Sequence, residues 1–245
     1  MRPARWLISG LLLCPLALVA QTGKTDDPPG VTRLYRGDGF AGWQKFTPQV
    51  KNDPHSVITT NRDDPKIIVI KGNSPGYFVT EQQYGNYELN LEYCWYIDRE
   101  KALEKPEAAP PRKSGVLFHI ASEGDSIWPK CIKAQLAFGR AGDLQLLSGY
   151  KLTVNEERAD PKDKTNFLRS HDGAEKPAGE WNTCTITCHG KFVSIKINDT
   201  QVMTARDSQY SRGRIALQSE AGEIHFRNIT LKKLEGKPVD PEKDG

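Results

Sequence analysis

The sequence predicts an all-β domain, an antiparallel β-sandwich or jelly roll. Three observations lead to it. Apolar and polar residues alternate over short runs: in YELNLEYCW, Tyr87, Leu89, Leu91, Tyr93 and Trp95 fall on one face and Glu88, Asn90, Glu92 and Cys94 on the other. Turn residues recur at strand-like spacing, and about a dozen short strands can be drawn between them. No stretch has the spacing of an amphipathic helix.

Taken in order, the chain opens on MRPARW and then LISGLLLCPLALVA, a basic start before an apolar run ending at Ala20. This is the layout of a secretory signal peptide over residues 1–20, too short for a membrane span and without a charged stop behind it. An exported chain, periplasmic or extracellular, is the expectation, with no membrane span after cleavage. QTGKTDDPPG, residues 21–30, reads as a linker. The domain is expected over 31–234, and the charged, Pro-containing end at 235–245 as a disordered tail.

Within the domain, Val31–Tyr35 predicts a first strand, and Gly37, Gly39 and Gly42 a turn. Trp43 and Phe46 are expected to pack together as a lid. Residues 47–66 are Pro- and Asp-rich and read as loop. KIIVIKG is a short strand, and Gly85-Asn86 marks a turn between two more. Residues 98–113 predict a long surface loop with a helical turn near 101–104. Later, EWNTCTITCHG puts Cys184, Ile186 and Cys188 on one face. Asn198-Asp199 turns a hairpin, and Glu220-Ala221-Gly222 joins the last two strands.

The formal charge is +3, from 34 basic and 31 acidic residues mixed along the chain. No basic stripe points to nucleic acid. Beyond Cys14 the cysteines are Cys94, Cys131, Cys184 and Cys188. Cys184 and Cys188 lie about 13 Å apart along one strand, beyond the roughly 7 Å that a disulfide spans. Each can pair only with Cys94 or Cys131, or all four stay free thiols. Zinc-type spacing is lacking.

The stretch from Ser114 to Leu147 carries the candidate chemistry. In SGVLFHI, alternation puts Val116, Phe118 and Ile120 on one face and Leu117 and His119 on the other. In CIKAQL, Cys131, Lys133 and Gln135 share a face. If those polar faces line the concave side of a sheet, His119, Lys133 and Gln135 converge, joined by Glu92, Gln218 and Arg227 from other strands. Such a face holds sugars in sandwich folds; otherwise each strand simply has a solvated side. Asp143, in a Gly-containing turn, either caps that turn or reaches the cleft edge.

Paired carboxylates of a conventional glycosidase are missing. Glu88 and Glu92 share a face but sit about 13 Å apart, too far for retention or inversion. There is no Gly-x-Ser-x-Gly elbow, no Cys/His nucleophile pattern and no metal-spaced His cluster.

IWPKCIKAQL followed by AGD, then GEWNTCTI, then a KI-N-D hairpin, then GRIALQSEAGEIHFRNI together resemble the 3-keto-disaccharide hydrolase domain family, in that order, over roughly residues 31–234. The resemblance implies a concanavalin-like jelly roll acting on glycosides whose 3-hydroxyl has become a ketone. A C3 ketone acidifies the C2 hydrogen; a base removes it, the C1 group leaves by β-elimination, and water adds to the unsaturated sugar. One base, an enolate stabiliser and help for the leaving group suffice. The resemblance puts Glu92, His119, Gln135 and Arg227 at the site and Asp143 at its edge, with His119 or Glu92 as base and Lys133 or Arg227 beside the enolate oxygen. Gln218 is expected to bind substrate. Lys133 stands where the family pattern has Glu before Ala-Gln. No organic cofactor is implied, and a need for a divalent cation is not readable from the sequence. The alternative is a non-catalytic carbohydrate-binding module on the same frame.

Overall fold

The computed structural model describes residues 27–98, 111–121, 126–158 and 165–236. The expected signal peptide, most of the linker, the body of the 98–113 loop with its helical turn, and most of the tail lie outside the described residues.

The strands run β1 Val31–Arg33, β2 Trp43–Phe46, β3 Ile58–Thr60, β4 Ile68–Ile70, β5 Gly76–Thr80, β6 Tyr84–Gly85, β7 Tyr87–Trp95, β8 Gly115–Ile120 and β9 Cys131–Gln135. They continue with β10 Leu144–Leu147, β11 Thr153–Val154, β12 Glu157–Arg158, β13 Asn166–Phe167, β14 Asn182–His189, β15 Phe192–Ile197, β16 Thr200–Ala205, β17 Arg212–Ser219 and β18 Ile224–Lys233. A 3-10 turn at Pro54–Ser56 is the one helical element among the described residues.

Two eight-stranded antiparallel sheets form. The first has the order β16-β15-β14-β7-β18-β4-β3, with β1 also on β18. The second has the order β13-β10-β9-β8-β17-β5-β2, with β6 also on β17. Sequence neighbours repeatedly sit in opposite sheets, as β7 does to β8 and β17 to β18. That is the crossing pattern of a jelly roll, as the alternation predicts.

The alternation decides which side chains meet. Leu89, Leu91, Tyr93 and Trp95 of β7 face Val116, Phe118, Ile132, Ala134 and Leu144 of the second sheet in one continuous core. Each large side chain fully buried there contributes roughly 1.5–3 kcal/mol. The second sheet also buries apolar residues on its far side: Tyr77, Val79, Leu117, Ile120, Cys131 and Ala216 form a separate cluster there. A pure sandwich face would leave them in water, so this outer face is more than a solvated surface.

Two local expectations change, and one open alternative is resolved. Trp43 and Phe46 do not share a lid. Trp43 stacks on Phe78 in the core at 4.6 Å, while Phe46 stacks on Tyr77 on the outer face at 4.9 Å. Three residues apart in a strand, they must point to opposite sides. The segment read as loop holds β3, whose pairing to β4 buries Ile58; three residues are too few to show a period. All four cysteines are free and buried. Cys184 and Cys188 lie in the core, whereas Cys131 belongs to the outer cluster of the second sheet.

Candidate functional site

The outer face of the second sheet collects Lys133, Gln135 and Gln218. Lys133 is 2% exposed and donates to Glu220 Oε2 at 2.7 Å. Its path is set by a missing side chain. Gly115 on β8 pairs with Gln135 and lies one position beyond the Val116–Leu217 pair, next to Gln218. A Cβ on Gly115 would stand 2.5 Å from Lys133 Cε and 2.9 Å from the Ala134 oxygen. The lysine stem therefore lies across the glycine, between the two glutamines, and delivers its amine to Glu220 beyond the end of β17. Burial pulls the Lys133 amine below the ordinary lysine range, and the Glu220 carboxylate opposes that pull.

The backbone on either side of Glu220 is held in place by its neighbours' bonds. The Ser114 hydroxyl donates to the Gln218 carbonyl at 2.7 Å, and Lys113 and Ala221 exchange backbone hydrogen bonds. The Ser219 hydroxyl donates to the Ser74 carbonyl. Sequence reading missed Glu220 as a site residue because Glu-Ala-Gly reads as a turn. The signal was there: stepping on by two from Ala216 and Gln218 reaches Glu220 on the same face.

The two glutamines carry the clearest sign of a binding surface. Gln135 and Gln218 are 6% and 2% exposed, and the Oε1 of each is buried with no hydrogen-bond partner. An unmet buried acceptor costs about 1–3 kcal/mol. Two of them beside a buried amine paired to a partly exposed carboxylate suit a ligand that brings hydroxyl donors. Gln135 also lines a cleft of about 310 Å³ with Lys113, Arg140, Asp143, Gln145 and Asn166. Asp143 combines both of its readings there. Its Oδ1 accepts from the Arg169 backbone N–H and Nη1, its Oδ2 from Arg140 Nε, and it stands at the cleft edge.

The structure does not bring His119, Glu92 or Arg227 to this face, and the expected convergence of all these residues is corrected here. For His119 the reason is a β-bulge. Ile120 pairs with Arg214 and Leu117 with Ala216, so Phe118 and His119 together oppose Ile215. The extra residue breaks the period, and His119 takes φ 52°. Gly213 makes the bulge possible, since a Cβ there would stand 2.4 Å from the His119 carbonyl carbon. His119 turns inward and is fully buried, edge-on to Tyr87 at 6.2 Å and 3.4 Å from the Tyr150 hydroxyl. Burial depresses its pKa to about 4, against a smaller upward pull from the Tyr210 backbone. Nε2 is among the buried atoms with no hydrogen-bond partner. A neutral imidazole closed in the core cannot reach a substrate on the outer face.

Glu92 and Arg227 lie on the far side of the molecule, outside the first sheet. They are cross-strand partners on β7 and β18. Arg227 Nε donates to Glu92 Oε2 at 2.7 Å, and Asn228 Nδ2 donates to Oε1 at 2.7 Å. The guanidinium stacks 3.9 Å from the centre of the Trp181 ring. Asn228, at φ 52°, begins a second bulge in β18. Both carboxylate oxygens have partners, and the cluster staples that bulge to β7.

Against solved structures, the chain has the fold of a candidate glycosyl hydrolase from Parabacteroides distasonis ATCC 8503, at 18% identity and a TM-score of 0.57 over 84% of this chain and 94% of that one. A second such protein from the same organism gives 18% identity and a TM-score of 0.50, covering 78% of this chain and 99% of that one. The carbohydrate-binding module CBM66 from Bacillus subtilis gives 11% identity and a TM-score of 0.50, covering 78% and 96%. No curated protein matches the chain. The sequence profile of the 3-keto-alpha-glucoside-1,2-lyase-like domain matches residues 30–232, and the chain belongs to that family.

Proposed function

We propose that this protein cleaves 3-keto-glycosides on the outer face of its second sheet, by β-elimination followed by addition of water. One observation carries the reading. The buried Gln135 and Gln218 oxygens lack partners beside the buried Lys133 amine and its partly exposed partner Glu220. A face with buried acceptors waiting for hydroxyls and a charged pair that opens to solvent through its carboxylate suits an oxidised sugar. Glu220 is the carboxylate within reach as base for the C2 hydrogen, and Lys133 is the group that draws electrons toward the C3 oxygen. Glu220 thus supplies, from the next turn, the carboxylate that the family pattern has at position 133. Membership of the family supports the substrate class.

Incubation with a 3-keto-glucoside tests this. Release of the C1 group is expected, with a transient ultraviolet absorbance from the enone before water adds, and Glu220→Gln should abolish both. Saturable sugar binding without any product would instead support a binding module. Lys133 in place of the family's Glu is the observation that favours that second reading. Export, suggested by residues 1–20, is tested by the N-terminal sequence of the mature chain: a start at Gln21 in the extracellular or periplasmic fraction supports it.

A further inference from the structure

Lys133 is the one lysine or arginine buried among the described residues. A buried lysine that only neutralised Glu220 would serve poorly, because Glu220 is itself partly open, its side chain 26% exposed. Taking an ammonium out of water beside a carboxylate that is still wet costs more than the pair returns. The placement makes better sense if the amine has work that requires a dry nitrogen. Burial favours the neutral amine, which is the nucleophilic form. The carboxylate that accepts its hydrogen bond lies 2.7 Å away. The stem is fixed across Gly115 between Gln135 and Gln218, and the pair opens outward through Glu220.

We propose that Lys133 Nζ forms a Schiff base with the C3 ketone of the substrate, and that elimination runs through the enamine. The proposal rests on the reading that this face accepts a 3-keto-glycoside. Glu220 first takes a proton from the Lys133 ammonium. The nitrogen lone pair adds to C3, and the C=O π pair moves onto oxygen. A proton passes from nitrogen to that oxygen, Glu220 returns its own, and water leaves, giving the C3=N⁺ iminium. Glu220, again a carboxylate, removes the C2 hydrogen. The C–H pair forms C2=C3, and the C=N pair moves onto nitrogen. When that pair returns to re-form C3=N⁺, the C2=C3 pair shifts to C1=C2 and the C1–O bond breaks. Its electrons leave with the aglycone oxygen, which takes the proton now on Glu220. Water adds to C3=N⁺, frees Lys133 and releases the unsaturated 3-keto sugar. Nothing is oxidised or reduced, and Glu220 ends as it began.

An iminium is a far better electron sink than a neutral ketone. It would let a chain with lysine at 133 run the same elimination that the family pattern serves with a carboxylate there.

The test is reductive trapping on the intact wild-type protein. Methyl 3-keto-glucoside and cyanoborohydride, which reduces iminium ions in preference to ketones, are added together. Intact mass and peptide mapping are then read against loss of turnover. One adduct, on Lys133, forming in step with inactivation supports the proposal. Glu220→Gln, which lacks the carboxylate that carries these protons, should form the adduct far more slowly and release no C1 group. Lys133→Arg keeps the charge without a usable nucleophile, and a fall in turnover of at least about a hundredfold is expected. Turnover with no adduct, an adduct spread evenly over surface lysines, or a Lys133→Arg protein within tenfold of wild type overturns the Schiff base and leaves the elimination reading standing. Absence of both turnover and saturable binding of the ketone overturns the two together.

Discussion

The two outer faces of this sandwich are built from the same kinds of residue and end in opposite states. On the first sheet, Glu92 has each oxygen bonded, Arg227 is clamped and stacked on Trp181, and Asn228 closes the group. On the second sheet, Lys133 is paired but buried, and the amide oxygens of Gln135 and Gln218 have nothing to bond. A saturated polar cluster has done its bonding within the fold, whereas an unsaturated buried one is waiting for something from outside. Residue type alone would rank Glu92 and Arg227 ahead of two glutamines. Bond accounting reverses that ranking.

The contrast can be broken most sharply at Gly115. Gly115→Val puts atoms where the Lys133 stem lies. Turnover of a 3-keto-glucoside should fall on the order of a hundredfold, with a lowered melting temperature; unchanged kinetics would mean that the Lys133 path does not matter. The layer between the faces comes next. His119 has its pKa lowered from 6.5 to about 4, so the unfolded chain binds the extra proton between those values. The stability from a neutral His119 is complete above about pH 6.5 and drains away as pH falls toward 4, by up to roughly 3 kcal/mol. Urea unfolding at pH 7, 5.5 and 4.5 should show the loss, and His119→Gln should flatten it.

A smaller effect separates the partners of the buried pair. Glu220→Ala leaves a buried amine without its carboxylate and should cost about 2 kcal/mol in chemical denaturation. Lys133→Met leaves only a partly solvated carboxylate and should be neutral or slightly stabilising. The smallest effect belongs to the saturated face. Arg227→Ala, with a side chain 35% exposed, should lower stability by no more than about 1 kcal/mol and leave substrate affinity by isothermal titration unchanged. A large loss of affinity there would move the site to the first sheet.

Most of the frame was legible because one face of nearly every strand is buried, and burial enforces the period of two. That period put Lys133 and Gln135 on one side of their strand without any structure, and left Gln218 on equal terms with Glu92 and Arg227 as a residue of another strand. It misplaced His119 because a bulge inserts one residue, and the permission for that bulge lies in Gly213, on another strand. It placed Glu92 and Arg227 on polar faces but not on which sheet: alternation gives the side of a strand, whereas sheet membership depends on long-range pairing such as β7 with β14 and β18. Glu220 was hidden by turn chemistry that was itself read correctly.

The free cysteines turn this architecture into its own reporter. Cys94 and Cys131 lie on the outer sides of the first and second sheets, Cys184 and Cys188 in the layer between, and burial raises all four thiol pKa values. Cys131, Cys184 and Cys188 can be alkylated only when their own surroundings open, and Cys94, at the edge of a surface cleft, reports on the first sheet's outer side. Pulse labelling of the unmodified protein would therefore time the loosening of each face and of the centre separately, with no introduced label and no disulfide to reduce first.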